Sequence, residues 1–254
     1  MKNRLMIAAY SLLIGVLMSV SYTSSAQAQG RGQQDLPFKE EIRRSFQLSP
    51  GANISIKTIS GPVDIKTGGG NSTEVYIVRS AETQRELDCY RTVVEQTSSG
   101  LSISHEQDCR NVRSHQRVEL RVPHDVNLRL ESISGDVHIG DIGGEINLSS
   151  ISGGVWIDQS SSDVRLNSIS GQVNLNIARL DRGIRMNSIS GRVNLRFGAG
   201  VNADVNVSSI SGHVLSDIPG VTVEKVGDSN YRAQVGRGGP EISISSVSGR
   251  ITLQ

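Results

Sequence analysis

Two cysteines, Cys89 and Cys109, stand 20 residues apart, and an even pair in an oxidising compartment reads as a disulfide. His105 and His115 flank Cys109, but two cysteines without a CxxC spacing make a poor metal site, so no metal or other cofactor is expected. Serine precedes glycine at seven equivalent places: Ser60, Ser134, Ser152, Ser170, Ser190, Ser211 and Ser248. A nucleophilic serine needs one special position with a base beside it, so a column of seven reads as structural. Asp136, Asp141 and Asp158 are the acids a polysaccharide-cleaving site would have to cluster, yet no acidic column persists from one repeat to the next. No catalytic residue is assigned.

The candidate surface binding residues are His138, Trp156, Asn174, Arg165 and Arg185. The first three occupy one outward position in successive repeats, and Trp156 is the only tryptophan. An aromatic ring among polar groups can stack on a sugar or anchor a partner; packing against the protein itself is the competing reading. Arg165 and Arg185 share a column with Arg129 and Asn147, and Glu145, Asp163 and Asp204 run beside it, a pattern that also describes a solvated face with ion pairs.

The spacing of these residues comes from one 13-residue block. It occurs at 53–65 (NISIKTISGPVDI), 127–139 (NLRLESISGDVHI), 145–157 (EINLSSISGGVWI), 163–175 (DVRLNSISGQVNL), 183–195 (GIRMNSISGRVNL), 204–216 (DVNVSSISGHVLS) and 241–253 (EISISSVSGRITL). From Gly135 to Gly212 the block glycines are 18, 18, 20 and 21 residues apart. Alternation with period two marks strands, and the repetition marks an all-β protein: a β-solenoid of stacked coils of about 18–21 residues behind a strand-rich N-terminal lead-in or cap. A single coil cannot bury its apolar side, whereas stacking at about 4.8 Å pairs its backbone and covers its side chains.

In the block at 145–157, Ile146 and Leu148 point one way and Glu145, Asn147 and Ser149 the other. A corner near Ser150–Ile151 would let a second set, Ile151, Gly153, Val155 and Ile157, face the same interior. On that assignment, aspartate at either Val155 or Ile169 collapses the stack. The left-handed hexapeptide pattern of acyltransferases is excluded by Glu145 and Asp163 at positions where it requires apolar residues.

The chain starts with Lys2 and Arg4, an apolar run from Leu5 to Val20, and Ala26-Gln27-Ala28, the parts of a secretory signal peptide. Cleavage would remove residues 1–28. The apolar run is shorter than the roughly 20 residues of a spanning helix, so no stable transmembrane segment is expected afterwards. Losing Lys2 and Arg4 leaves 24 basic against 25 acidic residues, a balance that argues against nucleic acid as partner. Residues 29–37 read as a flexible leader, 38–126 as the strand-rich region carrying the disulfide, and 127–254 as the solenoid. Within the second, Ala81 to Tyr90 can form a short helix and 91–105 a hairpin around Ser98-Ser99-Gly100. Residues 217–240 break the repeat and read as a longer hairpin, which must protect the final block if that block is the last coil.

The signal peptide, the strand RVELRVPHDVNLRL at 117–130, the SISGxVxL blocks and the closing GRGGPEISISSVSGRITL at 236–253 together resemble a bacterial family of β-strand-repeat proteins. That family is catalogued as putative adhesins and as a domain of unknown function. The resemblance covers roughly residues 45–254. It implies a β-solenoid, export from a bacterial cell and no established catalytic residues. The expectation is a non-enzymatic protein of the periplasm, cell surface or secreted fraction, binding an envelope protein or glycan. The alternatives are a carbohydrate-active β-helix enzyme and an envelope-assembly or stress protein that recognises a protein partner.

Overall fold

The computed structural model describes residues 36–109, 114–159 and 163–254. The signal peptide and leader residues 29–35 lie outside them. Asp35–Gln254 forms one compact unit. Its elements run β1 (Phe38–Gln47), β2 (Asn53–Ser60), β3 (Val63–Gly68), β4 (Ser72–Ala81), α1 (Gln84–Cys89), β5 (Tyr90–Thr97), β6 (Gly100–Gln107), β7 (Ser114–Pro123), β8 (Asn127–Ser134) and β9 (Val137–Ile139). They continue β10 (Ile146–Ser152), β11 (Val155–Gln159), β12 (Val164–Ile177), β13 (Ile184–Phe197), β14 (Ala203–Ser209), β15 (His213–Ser216), β16 (Val223–Val226), β17 (Asn230–Val235) and β18 (Glu241–Leu253). The fold is all-β, with 18 strands in one sheet among the described residues.

The blocks pair in parallel and in register, so like side chains lie above one another. One column runs Ile54, Leu128, Ile146, Val164, Ile184, Ile242, Val205. A second, from the later part of each block, runs Val63, Val137, Val155, Val173, Val193, Ile251, Val214. All of these are buried. Each fully buried Val, Ile or Leu contributes roughly 1.5–3 kcal/mol, so the columns hold the layers together.

Layer order is not chain order. The block at 53–65 lies between β6 and β7 on one side and β8 and β9 on the other. The final block does not form the last layer: β18 sits between β13 and the pair β14 and β15. Antiparallel strands cover the ends. β5 pairs with β6, and β1 and β4 continue outward from β7. β17 and β16 cover β14.

The corner assignment is corrected. Alternation continues through the first seven residues of a block, so Ser132, Ser150 and Ser168 turn inward and are buried, while Ile133, Ile151 and Ile169 turn outward and are exposed. The break comes at the glycine instead. Gly171 has φ +132°, and a Cβ there would lie 2.0 Å from the Gly153 carbonyl oxygen. The backbones approach too closely for any side chain, and the chain turns there so that Val155 and Ile157 face the core again.

The N-terminal region is closed by α1, whose N-terminus carries a reciprocal capping box between Thr83 and Glu86. The Cys89–Cys109 disulfide ties the end of α1 to the chain beyond β6, with Cα atoms 5.7 Å apart. Constraining this 20-residue loop contributes about 3 kcal/mol in the chain-entropy model. Reduction should therefore lower the melting temperature by about 6–12 °C, as read by calorimetry with and without reductant.

Candidate functional site

The outward isoleucines form a continuous feature. Register places Ile59, Ile133, Ile151, Ile169, Ile189, Val247 and Ile210 at successive levels of the stack. From Ile133 onward these side chains are 45% to 74% exposed. They line a groove of about 890 Å³, together with the residues two positions earlier on the same face. Seven levels span about 29 Å at the spacing of paired strands.

Polarity is inverted beneath this column. Thr58, Ser132 and Ser150 are buried, and their hydroxyl oxygens find no hydrogen-bond partner in the protein. A buried hydroxyl without a partner costs about 1–3 kcal/mol. The adjacent isoleucine meanwhile forgoes part of the stabilisation that burial would bring. Exchanging the two residue types would remove both costs, yet the order of hydroxyl beneath and aliphatic residue outside recurs: Ser168 and Ser209 are buried as well, and Ile133, Ile151, Ile169, Ile189, Ile210 and Val247 are all exposed. Single exposed apolar residues are ordinary, but a contiguous exposed apolar patch marks an interaction surface.

The polar side of the groove changes along its length. Ser149, Asn167, Asn187, Ser208 and Ser245 are uncharged, and Asn187 Nδ2 donates to Asn167 Oδ1 at 2.9 Å. Charge gathers at the β2–β8 end. There Glu131 is met by Lys57 Nζ at 3.3 Å and by Arg129 Nη2 at 3.0 Å. The Arg129 hydrogen bond, reinforced by Lys57, holds the Glu131 carboxyl below the usual carboxylate range. His105 also lines this end, with Nδ1 3.4 Å from the Lys57 carbonyl oxygen.

The surface residues singled out from sequence lie elsewhere. His138, Trp156 and Asn174 are in register on neighbouring strands. Trp156 stacks on His138 with ring centroids 4.5 Å apart and planes 2° from parallel. Its indole also covers Gly154, where a Cβ would come within 2.1 Å of the ring. Asn174 Oδ1 accepts from Gln172 and Asn194. The Trp156 ring is thus packed on its own protein. Arg165 pairs with Glu145 and, at 2.9 Å, with Asp163. Arg185 lies beside it, exposed and without an ion pair among the described residues. The structure brings His138, Trp156 and Asn174 together in one column and Arg165 and Arg185 in another. Among the described residues no cluster of three or more His, Cys, Asp or Glu side chains is placed to hold a metal.

Hydrophobicity alone points Ile151 and its equivalents inward and so hides the groove. Strict period-two counting from Ile146 and Leu148 carries Ser150 in and Ile151 out, so the signal was present.

The model of one protein family matches residues 35–254. The chain belongs to the Toastrack DUF4097 family. No curated protein matches this Toastrack chain. Solved structures that do match include a "putative cell adhesion protein" from Clostridium sporogenes, 13% identical, covering 85% of this chain and 99% of that one at a TM-score of 0.48. A "putative adhesin" from Bacteroides fragilis is 13% identical, covering 86% and 99% at 0.39. A "putative lipid binding protein" from Parabacteroides distasonis is 12% identical, covering 84% and 96% at 0.34. Likenesses this distant bear on neither ligand nor activity. No helix among the described residues is long and apolar enough to cross a membrane.

Proposed function

We propose that this Toastrack protein is an exported, non-enzymatic binding protein of the cell envelope: a β-solenoid that uses the isoleucine groove as its binding surface. The observation that carries this reading is the polarity inversion along the stack, which leaves an aliphatic column exposed from Ile133 to Ile210 while Thr58, Ser132, Ser150, Ser168 and Ser209 are buried. The signal-peptide pattern of residues 1–28 supports export. The column of His138, Trp156 and Asn174, with Arg165 and Arg185 on the neighbouring face, forms a second and subordinate surface, since the indole is engaged with His138 and the guanidinium of Arg165 with two carboxylates.

The test uses the environment-sensitive dye bis-ANS, which brightens on apolar surface. The wild-type protein should bind it, and a variant carrying Ile151→Ser, Ile169→Ser and Ile189→Ser should lose at least about fivefold of the signal, with its melting temperature kept because these side chains are exposed. Unchanged dye binding in that variant would remove the groove from consideration. The enzyme alternative requires polysaccharide cleavage that disappears with Asp136→Asn or Asp158→Asn.

A further inference from the structure

We infer that the groove is a site for one long, unbranched acyl chain bearing an anionic head, a long-chain fatty acid, with its carboxylate at the Lys57–Arg129 end. This inference rests on the groove reading above and adds the ligand. The shape of the site selects a linear apolar molecule: one aliphatic column about 29 Å long at strand spacing, open to solvent and lined by no charged residue beyond its first levels. An extended sixteen-carbon chain, advancing roughly 1.25 Å per carbon for 1.5 Å bonds, covers about 19 Å of it.

Other occupants fit less well. Sugars stack on aromatic faces, and no Phe, Tyr or Trp lines this groove. An extended peptide repeats its same-face side chains about every 6.8 Å, out of step with levels about 4.8 Å apart. Its backbone would also lose hydrogen bonds against isoleucine. A second copy would set one groove against another, with a few hundred Å² per partner where stable complexes bury about 800 Å².

The charge is placed for an anion. Lys57 and Glu131 line that end of the groove, and Arg129, just outside the lining, meets the same carboxylate, so the two cations and one carboxylate leave one positive charge in excess beside it. The far end, at Ile210, Ser208 and Ser245, is uncharged. The head and tail of the ligand are thereby oriented: carboxylate toward β2 and β8, methyl end toward β14. Only binding is involved, and no bond is made or broken.

Sodium palmitate, below the concentration at which it self-associates, is titrated into the purified mature chain with bound bis-ANS, and binding heat is measured in parallel. One palmitate per chain should displace the dye. Affinity should rise about two- to fourfold per methylene from decanoate to palmitate. It should fall at least tenfold in the Ile151→Ser, Ile169→Ser, Ile189→Ser variant and several-fold in Lys57→Gln, Arg129→Gln. Hexadecyltrimethylammonium, with the same chain and a positive head, should bind at least tenfold more weakly than palmitate. A single Ile169→Thr variant gives the same reading in smaller measure should the triple variant fail to fold. Dye bound in the groove but not displaced by palmitate overturns the acyl inference and leaves the groove reading standing. Equal affinity for the cationic amphiphile overturns the anionic head. A wild-type dimer that the serine variant splits identifies a second copy as the occupant and overturns the inference.

Discussion

Val155→Asp should abolish cooperative folding, while Ile169→Asp should leave the melting curve nearly unchanged. Val155 is fully buried between Val137 and Val173 in the later column of the stack. A carboxylate there would lie between the buried Val137 and Val173 side chains and must be buried charged or protonated, at a cost of more than about 4 kcal/mol. For a domain of this size that is a fall of more than about 10 °C in melting temperature. Layers on both sides lose contacts, so the damage does not stay local. Ile169 is 46% exposed, and aspartate there meets water. Differential scanning calorimetry of the two variants decides the inside-outside assignment. A collapse in both would restore the corner near Ser150–Ile151, and normal unfolding of Val155→Asp would remove the interior altogether.

Gly171→Ala should be nearly as damaging, though it adds one methyl group. Two costs coincide. The backbone sits at φ +132°, where an L side chain is strained, and the new Cβ would lie 2.0 Å from the Gly153 carbonyl oxygen. The carbonyl lies in the two-residue bend between β10 and β11, which paired strands hold on either side. We expect a loss of about 3 kcal/mol or more. Gly220→Ala is the control: φ is +77° with nothing within 4 Å of the new atom, so only the conformational cost of about 1–2 kcal/mol remains. Urea titration of both variants separates steric collision from backbone preference. Equal losses would show that the approach of neighbouring layers does not dictate the glycine.

The strands were legible because Val, Ile and Leu recur with period two inside a block that itself recurs. The short helix at Gln84–Cys89 and the hairpin of β5 and β6 were also legible, from local turn and polarity signals. The layer order was not. Blocks 53–65 and 241–253 carry the same pattern as the others, and parallel register lets any block lie beside any other, so nothing local reveals that β18 fits between β13 and β14. The groove was hidden for a different reason. Ile151 and Ser150 have the residue types expected at each other's positions, and hydrophobicity alone assigns them the wrong way round. His138, Trp156 and Asn174 were correctly seen to share a column, but spacing could not show that the indole lies flat on its neighbour.

The position of β18 bears on biosynthesis. The residues that fill the gap between β13 and β14 follow both strands in the chain, after β15, β16 and β17. Until they arrive, the hairpin of β16 and β17 and the layer it covers have no neighbour to dock on, and β13 presents an unpaired edge. A chain made N-terminus first can assemble its early layers as they appear, but β13 and β14 gain their shared neighbour only once residues 241–253 have followed. Loss of the final fourteen residues would therefore open a slot inside the array rather than shorten it, leaving two sticky edges facing one another.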